Sequence, residues 1–465
     1  MLQTLLENPV DSGIDLILRT NPKSIDFGFM QTLYLEEPAL TRESLLKAAK
    51  FFQKAIAPLE SAKGNSKLPG TGTAYLAFLA EVLQAVARSA DSQHLYTLLR
   101  HNLDKLDHNF AQLLRGWATL VFSAAKESET RRIAALIGNL SNKIGRFPLG
   151  SKANNLEIEI AGYETVAKVF TRKDFPQEWA MLQNNLGNAY SERLKGDPAD
   201  NLEQAIACYQ NALRVRTRET FGEEWASTQN NLGRAYSRRL RGDKAQNLEL
   251  AVGCYHNALQ VYNRKRFPRR WATTQNNLAN AYCEFLRGNR AENLEYAVNC
   301  YQRALQVRTR EAFPLQWATT QRNLGRVFID RIKGDPVENV EMAIALYGAV
   351  LTVYTLEAFP EDWAMAQNNL AAAYANRING SRAENIDRAI AFFEAALTVR
   401  TREQFPEDWA MIQYNLGNAY NDRINGSRDE NLEKARSFYQ AALTVYTREH
   451  FPEYWAMIKK KLANA

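Results

Sequence analysis

The 465-residue chain predicts an all-α protein built as a solenoid of helix pairs. Two observations lead there. Trp179, Trp225, Trp271, Trp317, Trp363, Trp409 and Trp455 stand 46 residues apart without one slip. Around each lies nearly the same segment, clearest over Phe175–Thr220 as FPQEWAMLQNNLGNAYSERLKGDPADNLEQAIACYQNALRVRTRET. Six whole copies run from Phe175 to His450, and a seventh begins at Phe451. A fixed period of this length means one supersecondary unit stacked on itself, each copy burying its apolar face on its neighbours. Such an array also escapes the size at which a single core stops growing.

Taken in order, residues 1–150 show no 46-residue period. Apolar positions at helical spacing fill Arg42–Leu59, Ala74–Arg88, Gln93–Ser123 and Glu129–Ile144, with breaks at Pro22, Lys63–Gly72 and Phe147–Ser151. That predicts an α-helical N-terminal domain over 1–150. His94, His101 and His108 recur every seven residues, which on one helix is roughly 10.5 Å, whereas helical ligands to one metal need i, i+4 spacing. They read as a solvent-facing or half-buried stripe. Residues 151–174, with NLEIEIAGYETVAKVFTRKD, predict the second helix of a worn repeat, a degenerate half-repeat.

Each of the six repeats over 175–450 predicts two helices. Phe-Pro opens the first, with Pro176 at a position where a missing N–H costs nothing. Trp179, Gln183, Leu186 and Tyr190 then fall on one face, with the tryptophan as core anchor. Gly187, or Ala279 in its column, leaves room for a partner helix. Gly196, Gly242, Gly288, Gly334, Gly380 and Gly426 are expected to end this helix in the left-handed conformation. Asn201, Asn247, Asn293, Asn339, Asn385 and Asn431 are expected to cap the second helix, with Glu203 or Asp387 favoured by its dipole. Leu202, Ile206, Tyr209 and Leu213 form the second apolar stripe. Residues 451–465 predict a C-terminal capping helix: Lys459, Lys460 and Lys461 replace Gln183, Asn184 and Asn185, the polar outer face that a terminal repeat needs. That favours a genuine end, with truncation as the alternative.

Composition narrows the function. Hydrophobic residues make up 46% and charged residues 23%, and no apolar run is long enough to span a bilayer. The start, MLQTLLENPVDSG, lacks the basic and apolar regions of a signal peptide. The net charge of +7 divides into about +3 over residues 1–150 and about +4 beyond, too evenly for a nucleic-acid or membrane footprint. Cys208, Cys254 and Cys300 share a column that later holds Leu346, Phe392 and Phe438, so they read as buried free thiols of a reducing cytoplasm. Cys283 has no ligand-spaced companion. There is no Lys-Ser/Thr phosphate loop, HExxH or GxSxG, so no catalytic residue, metal or cofactor is expected.

The residues Leu186-Gly187-x2-Tyr190 followed by Ala205, Tyr209 and Ala212 resemble the tetratricopeptide repeat (TPR), over about Asn155–Ala465. The usual unit has about 34 residues, and two insertions of about six, one between the helices and one between units, account for 46. The wording LxNNLGxAY looks most like kinesin-light-chain repeats and like those that cyanobacterial proteins carry ahead of a caspase-like CHAT protease domain. The opening LLENPVDSGIDLILRTNP loosely resembles the head of the same TPR–CHAT proteins. The resemblance implies a right-handed superhelix whose first helices line a concave groove. It also implies that asparagines of the LxNNL motif clasp the main chain of an extended peptide.

Asn185, Asn231, Asn277, Asn323, Asn369 and Asn415 never vary across the six copies. Asn188, Asn280 and Asn418, with Arg234 and Arg326 in the same column, lie beside them. An amide offers a donor and an acceptor to one peptide unit, so these eleven residues are the candidate peptide-binding set. The alternative is an asparagine ladder tying each helix to the next. Arg234 and Arg326 make the second to fourth repeats more basic and favour ligand carboxylates. Two further columns, Arg193/Arg239/Arg331/Arg377/Arg423 and Arg218/Arg264/Arg310/Arg402/Arg448, suggest intramolecular pairs with acids such as Glu192, Glu219 and Glu403. The sequence thus predicts a cytoplasmic, non-enzymatic scaffold with a protein or peptide partner, nucleic acid and membrane being disfavoured. A second reading is a sensor or regulatory subunit of a separate caspase-like protease. The oligomeric state is left open.

Overall fold

The computed structural model describes residues 71–88 and 93–464, which fall into two compact units, one up to Val261 and one from Tyr262. All regular structure among the described residues is helical, an α-solenoid of regular pairs. The predicted helix Arg42–Leu59, the break at Pro22, the opening segment and most of Lys63–Gly72 lie outside the described residues.

In the first unit α1 spans Thr71–Arg88, α2 Gln93–His101, α3 His108–Ala124, α4 Glu127–Gly145 and α5 Lys152–Val166. Then come α6 Pro176–Glu192, α7 Pro198–Leu213, α8 Gly222–Ser237 and α9 Lys244–Leu259. The single helix expected over Gln93–Ser123 is two. A 3-10 turn at Leu103–Lys105 interrupts it, and Asp107 restarts it by accepting from Phe110 N at 3.0 Å. His94 and His101 on α2 and His108 on α3 are exposed, and the three do not lie on one helix. One continuous apolar core runs from Leu76 through Phe110, Trp117 and Ile137 to Leu186 and Cys208. The pair α4–α5 already shows the later design: Gly150 has φ +77° and Asn155 Nδ2 donates to Phe147 O and Leu149 O.

The second unit holds α10 Pro268–Glu284, α11 Arg290–Leu305, α12 Pro314–Asp330 and α13 Pro336–Val350. It continues through α14 Pro360–Ala375, α15 Arg382–Leu397, α16 Pro406–Asp422, α17 Arg428–Leu443 and α18 Pro452–Asn464. In α18 Lys459, Lys460 and Lys461 are exposed and Ile458 is buried. No described helix is long and apolar enough to cross a membrane.

Several sequence expectations change within the repeats. The tryptophans are only half-buried, Trp271 included. The fully buried positions are the alanines that follow them, Ala180, Ala226, Ala272, Ala318, Ala364 and Ala410, and the tyrosines of the second helix such as Tyr209. A bulky indole on the stripe lies at the helix start, where part of it stays in water, whereas alanine lets the helices meet. Gly187 serves the same end: a Cβ there would stand 2.6 Å from Tyr209 Cε1.

Gly196 is not the residue that ends α6. The helix stops at Glu192, and Gly196 sits in the turn beyond with φ +80°, a conformation that costs a side chain. Nor is Asn201 the cap of α7. Asp197, four residues earlier, takes that place and accepts from Asp200 N, as Asp243, Asp335 and Ser381 do in later repeats. Asn201 lies inside the first turn and ties the inter-helix turn to it: Nδ2 donates to Lys195 O at 2.9 Å, and Oδ1 accepts from Arg193 Nη1. In the sequence Asp197 and Pro198 have the residue types of a turn, which puts the expected cap four residues late.

The first arginine column does pair within the chain, but not with neighbours in sequence. Arg193 meets Glu157 and Arg239 meets Glu203 in the first unit. Arg331 meets Glu295, Arg377 meets Glu341 and Arg423 meets Asp387 in the second. Each Nε–carboxylate distance is 2.7 Å, and the acid sits on the second helix of the preceding repeat. In the four glutamate pairs Nε and Nη2 grip the two carboxylate oxygens in a fork, which makes them strong links, whereas Asp387 takes Arg423 Nε on one oxygen and Asn425 Nδ2 on the other. Arg218 instead donates to Gln260 Oε1 at 2.7 Å, and Arg402 lies over the ring of Trp409. Beside the ladder each turn exposes one aliphatic side chain: Leu194 and Leu240 in the first unit, and Leu286, Ile332, Ile378 and Ile424 in the second, 61–67% exposed.

Candidate functional site

The candidate amides all ride on the first helix of a pair. Burial of Leu186, Leu232, Leu278, Leu324, Leu370 and Leu416 one position on fixes the helix rotation that presents them. In the first unit Asn185 and Asn188 are buried, at 5% and 7% exposure, and Asn231 and Arg234 are half-buried. In the second unit Asn277, Asn280, Asn323, Asn369, Asn415 and Asn418 are half-buried, and Arg326 is exposed.

Their hydrogen bonds divide them into two groups. Asn188 Oδ1 accepts from the Tyr209 hydroxyl at 2.8 Å and from Asn231 Nδ2 at 3.1 Å, which uses both of its lone pairs. Asn231 Nδ2 also reaches Asn184 Oδ1 at 3.4 Å. The same rung recurs in the second unit, where Asn280 Oδ1 accepts from the Tyr301 hydroxyl and from Asn323 Nδ2 at 3.2 Å. Asn418 Oδ1 accepts from the Tyr439 hydroxyl at 2.9 Å. Asn369 and Asn415 differ. The residues that would receive their rungs are Arg326 and Ala372, and neither offers a side-chain acceptor. Among the described residues neither amide has a hydrogen bond, and the neighbouring Asn368 Oδ1 is buried without a partner.

Charge along these helices is uneven. Arg234 lies 4.0 Å from Glu192, which partly offsets it. Arg326 stands beside Cys283 and Tyr301 and has no ion pair among the described residues. Thiol chemistry finds no support here. All four cysteines are buried, and burial pushes the thiols of Cys208 and Cys254 up to about 12 and that of Cys300 up to about 11. Burial raises Cys283 too. Thiols so shifted are protonated at neutral pH and poor nucleophiles. Among the described residues no group of three or more His, Cys, Asp or Glu is placed to hold a metal.

Sequence reasoning missed the tyrosine hydroxyls, although a signal for them exists. Asn188, Asn280 and Asn418 accompany Tyr209, Tyr301 and Tyr439, and the one repeat with Phe393 in that column also has Ala372 for the asparagine. The hydroxyl and its acceptor are lost together.

No protein-family model matches the sequence, and no curated protein matches it. Among solved structures the chain is similar to the STAND (signal transduction ATPase with numerous domains) protein with a tetratricopeptide repeat sensor from Pyrococcus horikoshii. Identity is 12% and the TM-score 0.50, over 90% of this chain and 55% of that one, so this chain spans about half its length. It is also similar to the C-terminal part of a TPR repeat-containing protein from Cytophaga hutchinsonii, at 12% identity, TM-score 0.39, 68% of this chain and 95% of that one. A third similarity is to the APC/C hetero-tetramer Cut9–Hcn1, at 13% identity, TM-score 0.42, 83% and 63%. The first two of these neighbours carry tetratricopeptide repeats, and at such identities the first speaks for the α-solenoid fold alone.

Proposed function

We propose that the repeats form a non-enzymatic, cytoplasmic scaffold that holds an extended segment of another protein across their first helices, in the groove that the TPR resemblance implies. The observation that carries this reading is the state of Asn369 and Asn415. Both keep a whole amide free although their column is asparagine in all six repeats, so there the residue serves no bond of the stack. A free amide can donate to and accept from one peptide unit of a ligand. Asn188, Asn280 and Asn418 have spent their oxygens on tyrosine and contribute donors. Asn185, Asn231, Asn277 and Asn323 continue the column, and Arg234 and Arg326 supply positive charge for a ligand carboxylate. A second reading, a sensor array acting on a separate effector chain, is favoured by the likeness to the STAND protein with its TPR sensor. A caspase-like protease as that effector rests on the sequence resemblance alone.

The test uses the full chain and a peptide selected against it from a displayed random library. Asn369→Ala with Asn415→Ala should weaken that peptide by about 0.5–1.5 kcal/mol per amide, with an unchanged melting temperature. Asn231→Ala with Asn323→Ala, which removes the rungs, should lower the melting temperature. Equal peptide affinity of the Asn369/Asn415 variant and the wild type would sink the clasp.

A further inference from the structure

The loop that enters α10 differs from every other loop of its kind. Over Asn263–Trp271 the chain reads NRKRFPRRW, with Arg264, Lys265, Arg266, Arg269 and Arg270 and no carboxylate. The six equivalent segments, from Thr171–Trp179 to Thr447–Trp455, each carry at least one Asp or Glu and no more than two Lys or Arg. All seven close the same backbone turn, here with Phe267 N donating to Asn263 O at 2.9 Å and Trp271 N to Phe267 O at 2.8 Å. The fold therefore does not need these cations, and concentrating like charges in one loop works against stability.

The arginines among them are held by neighbours, yet most of the loop's charges are exposed. Arg264, Lys265, Arg266 and Arg269 are exposed, and none has a carboxylate partner among the described residues. Arg266 lies over the ring of Phe267 at 5.1 Å, and Arg269 lies over the ring of Phe313 at 4.8 Å. Arg264 Nη1 donates to Gln306 Oε1 at 2.5 Å. A ring beside each of these two exposed guanidiniums restrains the side chain while leaving its donors accessible, which reduces the entropy lost on binding.

We propose that the Asn263–Arg270 loop is a docking site for a short acidic segment of a partner protein, whose carboxylates the exposed guanidinium groups receive. Carboxylate matches the bidentate geometry of these groups. The footprint is one loop rather than a stripe, which is what a nucleic-acid backbone would require. Further along the same unit the equivalent loops hold Glu311 and then Glu357, Glu361 and Asp362, which repel a long polyanion. The site is separate from the asparagine columns and stands whether or not they bind a ligand.

The experiment compares the full chain with the variant Lys265→Glu, Arg266→Ala and Arg269→Glu. Each substitution introduces a residue that another repeat carries at that place, as in Glu311, Ala312 and Glu361, so folding is preserved and is checked by circular dichroism. Two fluorescent probes of matched charge are titrated by anisotropy over a salt series: a peptide of consecutive glutamates and a single-stranded oligonucleotide. The wild type should bind the acidic peptide more tightly than the oligonucleotide, and the folded variant should lose at least about tenfold in peptide affinity. Equal peptide binding by both proteins overturns the proposal, as does tighter binding of the oligonucleotide.

Discussion

Asn339 offers the sharpest separation between capping a helix and tying down a turn. Its Nδ2 donates to Lys333 O at 3.0 Å and its Oδ1 accepts from Arg331 Nη1 at 3.2 Å, at 4% exposure. Asn339→Ala removes both bonds and leaves a backbone carbonyl without its donor. A net hydrogen bond contributes about 1 kcal/mol and an orphaned buried group costs about 1–3 kcal/mol, so the loss should be about 2–3 kcal/mol. Asn339→Asp is the decisive partner. At a helix N-cap aspartate does as well as asparagine, and the substitution would then be neutral. In the observed geometry aspartate keeps the Arg331 contact but places a carboxylate oxygen against the Lys333 carbonyl, and should cost at least about 1 kcal/mol. Guanidinium-chloride unfolding followed by circular dichroism measures both, compared at a common m-value. An Asn339→Asp protein within about 0.3 kcal/mol of wild type refutes the turn-tying role. Asp335→Ala, at the actual cap, should cost about 1 kcal/mol.

Other expectations follow from the same geometry. Arg239, Arg331 and Arg377 hold the carboxyls of Glu203, Glu295 and Glu341 below the usual range. These pairs therefore stabilise the protein at neutral pH, and that contribution disappears as pH falls through the depressed values; Glu295→Gln should flatten the acid limb of a stability-versus-pH curve below about pH 4. The buried thiols carry the opposite sign. Unfolded cysteines ionise near pH 9 while folded Cys208 and Cys254 stay protonated up to about 12, so stability should fall as pH rises across that window. A thiol reagent at neutral pH should label none of the four cysteines until denaturant is added, and rapid labelling of Cys283 in the folded protein would contradict its burial. Ala272→Leu, at a position with no exposure, should cost about 1–3 kcal/mol by overpacking, measured by the same unfolding assay.

The helix pairs were legible because their signals are local and repeated. Phe-Pro fixes the start of the first helix in five of the six repeats, Phe221-Gly222 standing in the other, and the period of Leu186 and Tyr190 fixes its buried face. What sequence could not give was the identity of partners across repeats. Glu203 lies 36 residues before Arg239, a spacing that no local rule singles out. Asn201 carries the residue type of a cap, and only the position of Asp197 in three dimensions shows which one does the capping. Leu194 and Ile332 mislead in the other direction: an aliphatic column normally means core, and this one faces water. For the candidate site the asparagine column was visible from its invariance. Which amides are spent and which are free depends on what faces them one repeat earlier, namely Asn188 for Asn231 but Ala372 for Asn415.

The ladder from Arg331–Glu295 through Arg377–Glu341 to Arg423–Asp387 has a mechanical side. Each pair bridges two successive repeats, so a force applied along the chain within the second unit loads the pairs one after another. The stack should then yield in steps. Freeing 46 residues at about 3.6 Å each, less a folded repeat thickness of about 10 Å, lengthens the tether by about 15 nm per step. A protein of this build would act as a row of equal fuses, each releasing slack while its neighbours stay folded.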